Sequence, residues 1–178
     1  PSALLSWALA CAAVDLRNYA GRGTKVESCL IHWGSTEPRV VQKNGELLPG
    51  IREVPCDEGT TRMADALVLA EKEMPGFLAP EQPGKESNRL LIHFTDWELG
   101  QHGAPEAHVL TVGALKAGVN MLTVSPNGYI RRRPGFSHLP YIEEAAERVN
   151  ARGRSHVLVY NRQDPESVWA AAKHVLRG

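Results

Sequence analysis

No sign of charge predominates in this chain: its 178 residues carry twenty lysines and arginines against twenty aspartates and glutamates, a formal net charge of zero. The electrostatic footprint of a nucleic-acid binder is therefore missing. Cysteine is scarce as well, limited to Cys11, Cys29 and Cys56, widely spaced and without a C-x-x-C pair. Neither a disulfide framework nor a zinc site is indicated, and this usage points to a reducing, cytoplasmic setting. The longest apolar run, residues 3–14, falls short of the roughly 20 residues that a membrane-spanning helix needs. It also lacks the basic flank that precedes the apolar part of a signal peptide.

Catalytic signatures are equally scarce. There is no G-x-S-x-G elbow, no phosphate-binding G-x-x-x-x-G-K-[ST] and no G-x-G-x-x-G. His32 and His93 lie in strand-like stretches, and His102 and His108 flank a later loop. None has the H-E-x-x-H spacing of a zinc site, so they read as core or rim histidines. The first residue is Pro1, which fits a fragment, a processed chain or a start from which Met was removed.

What is present is an alternation. At 43% hydrophobic residues the chain has the size and composition of one globular domain over residues 1–178. Residues 2–19, rich in Ala and Leu, read as a buried helix. Residues 26–33 read as a strand, and 39–42 with 46–48 as an edge hairpin about Asn44-Gly45. A helix is expected from 61 to 74, with Met63, Ala66, Leu67, Ala70 and Met74 on one stripe. After a Pro- and Gly-rich surface loop come a strand at 89–94, a helix at 105–117 and a strand at 119–124. A helix at 139–150, a strand at 155–160 and a last helix capped by Asp164-Pro165 complete the series. Near-continuous apolar strands alternating with helices predict an α/β fold, Rossmann-like and doubly wound, with a mostly parallel sheet and helices on both faces.

In a sheet of that kind ligands meet the chain just beyond the carboxyl ends of the strands. The strand at 89–94 stops on Thr95 and Asp96, which makes Asp96 the first candidate for a working residue. Thr60 and Thr61, at the mouth of the helix at 61–74, are its expected neighbours. Hydroxyl and carboxylate oxygens are hard donors suited to magnesium, calcium or manganese. The same residues would also serve as ordinary helix and turn caps. Trp97 and Glu98 follow the candidate ligand at once and are the candidate partner-binding residues, since an aromatic at the rim of a site often anchors a partner.

Gly59-Thr60-Thr61 followed by Ala66-Leu67, and then Leu91-Ile92-His93-Phe94-Thr95-Asp96, resemble the second and third parts of the metal-ion-dependent adhesion site of von Willebrand factor A domains. The resemblance implies a divalent-ion site in which Thr61, or alternatively Thr60, supplies a hydroxyl and Asp96 a carboxylate. One coordination position would be left for an acidic group of a partner protein. Intracellular members of that family commonly work beside ring ATPases or in ribonucleoprotein particles, and the neutral net charge disfavours the RNA option. Two departures stand out. Trp97 takes the place of the usual glycine, and the Asp-x-Ser-x-Ser loop that follows the family's first strand occurs nowhere in the chain. The resemblance begins just after that strand, so it implies a single domain truncated at its N-terminus and lacking its first central strand. Two other readings remain open at this stage. One is a magnesium-dependent, Rossmann-like hydrolase or transferase using Asp96; the other is a structural subunit whose metal site has degenerated.

Overall fold

The computed structural model describes residues 8, 11–13, 15, 17–18, 25–34, 36–46, 62–84, 87–95, 99, 104–125, 144 and 157–161. The protein is mixed α/β, with a small antiparallel sheet, a small parallel sheet and helices. By contact density it divides into two compact units, Pro1–Pro75 and Gly76–Gly178.

The first unit opens with helix α1, to which Ala8, Cys11, Ala12, Ala13, Asp15, Arg17 and Asn18 belong. Strand β1 (Leu30–His32) pairs antiparallel with β2 (Arg39–Gln42). Ile31 lies opposite Val40 and His32 opposite Arg39, but Leu30 lies opposite Gln42. Val41 is thus an extra residue on β2, a bulge of the kind that bends a strand and re-aims its side chains. Beyond β2 the chain turns at Asn44-Gly45. The Glu46 N–H donates to the Lys43 carbonyl at 3.0 Å, and Gly45 sits at φ +87°, a left-handed conformation that glycine adopts without steric cost. The turn therefore forms where the sequence indicates, but the strand seen pairing with β2 is the preceding one. The expected return arm, at 47–48, lies outside the described residues.

Side chains staple this turn to the segment before β1. The Asn44 carboxamide accepts from the Ser28 N–H at 3.2 Å and donates to Glu27 Oε1 at 2.6 Å, while Arg17 Nε donates to the Val26 carbonyl at 3.0 Å. A hydrogen bond from Lys25, reinforced by Asn44, holds the Glu27 carboxyl below its ordinary range despite some burial. Gln42, only 1% exposed, satisfies its amide by donating to the Glu46 carbonyl at 2.6 Å.

Helix α2 (Met63–Glu73) packs on β1 and β2. Its Ala- and Leu-rich sequence favours the helix intrinsically. Met63, Ala66, Leu67 and Ala70 fall on one buried stripe together with Ala64. Arg62 stands at the N-cap without a side-chain cap bond. Its N–H donates to the Gly34 carbonyl at 3.0 Å, and its guanidinium meets Asp65 at 2.6 Å, with the acid in the first turn where the helix dipole favours negative charge. The last backbone bond, Met74 N–H to Ala70, precedes Pro75, which has no N–H to continue the ladder.

In the second unit β3 (Leu90–Phe94), β4 (Asn120–Ser125) and β5 (Val157–Asn161) form a parallel sheet in that order. Leu90 to Phe94 align one for one with Asn120 to Val124, and Met121 to Ser125 with Val157 to Asn161. Parallel neighbours need a crossover, and helix α3 (Ala104–Lys116) provides the one between β3 and β4. Its buried positions, Ala104, Ala107, Thr111, Ala114 and Leu115, recur at the helical spacing. α3 ends in a Schellman motif: Val119 N–H donates to Ala114, Gly118 N–H donates to Leu115, and Gly118 takes φ +89°. The core of this unit gathers Leu115, Val119, Met121 and Leu122, each essentially inaccessible. Glu144 is helical, within the helix expected at 139–150. The helix expected after Asp164-Pro165 lies outside the described residues.

Candidate functional site

Because β3, β4 and β5 are parallel and aligned residue for residue, their carboxyl ends, at Phe94, Ser125 and Asn161, reach one edge of the sheet together. That edge is where a sheet of this kind offers backbone and side-chain groups to a ligand. Thr95, 9% exposed, continues β3 beyond it, and Leu99, 6% exposed, is buried again four residues later. Asp96, Trp97 and Glu98 occupy the interval between these two buried residues and lie outside the described residues. Thr60 and Thr61 also lie outside them, immediately before Arg62 and α2. The structure accordingly describes the strand that leads into Asp96 and the helix that follows Thr61, and no distance within the predicted set.

Two described side chains, one in each unit, have strongly shifted titration. His93 stands on β3 opposite Thr123 of β4, is 5% exposed, and is pushed by burial from the ordinary 6.5 down to about 4. Its imidazole is neutral at physiological pH and belongs to the core. The Cys29 thiol is raised to about 11, first by burial and then by the nearby Glu73 carboxylate. It stays protonated and is a poor nucleophile, because the reactive form of cysteine is the thiolate. Among the described residues no three histidine, cysteine or carboxylate side chains are grouped so as to hold a metal ion, and no helix is long and apolar enough to cross a membrane.

A polar centre that the sequence did not announce lies at the opposite, amino-terminal edge of the parallel sheet. Arg89, one residue before β3 and only 8% exposed, spreads its guanidinium over backbone carbonyls. Nη1 donates to Phe77 at 2.9 Å, to Ala79, and more weakly to Gly76 at 3.4 Å; Nη2 donates to Ala117 and lies 3.9 Å from Glu81 Oε1. Its own carbonyl accepts from the Asn120 N–H at 2.9 Å, which fixes its backbone against the start of β4. In the sequence Arg89 reads as the polar first residue of a strand. Carbonyl acceptors carry no residue signature, so spacing could not have revealed its role.

No protein-family model matches this chain, and no curated protein sequence matches it.

Proposed function

We propose that the chain is a von Willebrand factor A-like interaction module on a Rossmann-like, doubly wound sheet. In this reading it binds an acidic side chain of a partner protein through a divalent ion, magnesium, manganese or calcium. Asp96 supplies a carboxylate and Thr61, or Thr60, a hydroxyl. The ion keeps one position for the partner's carboxylate and so works as an electrostatic latch, while Trp97 and Glu98 border the contact. A ring ATPase is one partner class suited to such a module. The observation that carries the reading is the parallel, in-register sheet whose strand β3 runs through buried Thr95 directly into Asp96. An acid in that position meets a ligand at the carboxyl edge of the strands.

Calorimetric titration of the whole protein with manganese tests this. Asp96→Ala and Thr61→Ala should each weaken binding by at least roughly tenfold, as loss of a group that holds or orients an ion does. The thermal midpoint measured in chelator should stay unchanged. An acidic peptide should then bind the wild type only when the ion is present. Absence of binding by the wild type, or variants that bind manganese as tightly as the wild type, would overturn the reading.

A further inference from the structure

We propose that Arg89 is the catch of a conformational strap, residues 76–81, which closes over the amino-terminal edge of the parallel sheet and opens as one unit when the catch is released. The strap has little of what makes a segment stable by itself. Gly76, Ala79 and Pro80 are exposed, Phe77, Leu78 and Glu81 are half-buried, and none is in a helix or strand. Segments with few buried apolar groups open locally at lower free energy than the core. Against this, three of its carbonyls, on Gly76, Phe77 and Ala79, converge on the single Nη1 of Arg89, and Glu81 faces Nη2. The guanidinium itself is anchored to regular structure. Its backbone is tied to Asn120 of β4, and Nη2 also serves the Ala117 carbonyl at the C-terminus of α3, where a helix favours a cation.

The geometry is therefore that of one side chain joining a weakly built segment to two strongly built ones. A planar fork with fixed donor directions suits several carbonyls at once, whereas a lysine ammonium on a flexible stem is a point charge that would hold fewer. The end of α3 adjoins the catch: a Cβ on Gly118 would lie in ordinary van der Waals contact, at 3.5 Å, with both Arg89 Nη2 and Glu81 Cδ.

Two measurements on the whole chain test the strap. In native-state hydrogen exchange of the wild type, the Ala79 amide, which donates to the Gly76 carbonyl at 3.3 Å within the strap, should open with a free energy well below that of Met121 and Leu122. In limited chymotrypsin digestion, Arg89→Lys should accelerate cleavage at Phe77 and Leu78 by roughly ten- to a hundredfold, the range that charge-assisted hydrogen bonds represent. Exchange of Met121 and Leu122 should change far less. An Ala79 amide that exchanges only with global unfolding would overturn the proposal. So would an Arg89→Lys variant whose cleavage is unchanged or rises only in step with exchange of the β4 core.

Discussion

His93 shows how one residue ties composition to stability. A histidine within an apolar strand is read from sequence as core, and the structure buries it, at 5% exposure, with a folded pKa of about 4 against the ordinary 6.5. Between those two values the unfolded chain holds a proton that the folded chain rejects. Stability therefore rises with pH across this window and is lost as pH falls from 6.5 towards 4, by on the order of 3 kcal/mol in the limit. Replacing His93 by glutamine should remove about one proton's worth of slope from the plot of unfolding free energy against pH in that interval. Equal slopes for the two proteins, measured by urea denaturation at a series of pH values, would mean that His93 is accessible. Arg89 is the counter-case. Nothing in its neighbours marks it as buried, because its hydrogen-bond acceptors are main-chain oxygens contributed by residues ten or more positions away.

At the scale of elements, α2 was legible almost residue by residue. Its apolar positions follow the 3.6-residue period, and the structure buries Met63, Ala66, Leu67 and Ala70 as that period requires. Met74, the last position of the expected stripe, is half-buried and lies past the helix end, where Pro75 breaks the ladder. The stripe makes neighbouring substitutions unequal. Leu67→Ala, at 3% exposure, should cost about 2–5 kcal/mol through lost burial and the cavity left behind. Val68→Ala, at 58% exposure, should change stability by no more than about 0.5 kcal/mol. Chemical denaturation of the two variants measures this, and similar losses would place the stripe elsewhere. Strand pairing was less legible than helix faces. The Asn44-Gly45 signal correctly located a turn, since turn chemistry is local. Which strand lies beside β2 is a long-range question, and the observed partner, β1, is separated from it by residues 33–38. β1 also proves shorter than the stretch 26–33 suggested, because 26–28 are held by side-chain bonds to Arg17 and Asn44 rather than by a ladder.

For the whole molecule, the regular alternation of apolar strands and helices foretold the mixed α/β character and the parallel pairing of β3, β4 and β5. The candidate site was legible only as chemistry. The sequence nominates Asp96, Thr60, Thr61, Trp97 and Glu98 by type and by position next to regular elements, and all five lie outside the described residues, where no periodicity dictates the path. Charge balance acts on the molecule as a unit. With equal numbers of acidic and basic residues and an isoelectric point near 7.5, mutual repulsion between copies is weakest close to neutrality. Solubility should therefore pass through a minimum near pH 7.5 and improve on either side, with light scattering against pH as the measure. A monotonic profile would show that a local patch, and not net charge, governs association.

The bulge at Val41 bears on how this chain can vary. Adding or removing one residue in β2 would turn every later side chain of the strand to the other face, so that Gln42 would lose the Glu46 carbonyl and the Asn44-Gly45 turn would leave its anchors on Glu27 and Ser28. A change of length along 39–46 is costly in a way that a change of one exposed side chain is not. Among homologous chains, alignment gaps should therefore avoid residues 39–46 and collect in connections that carry no such anchors.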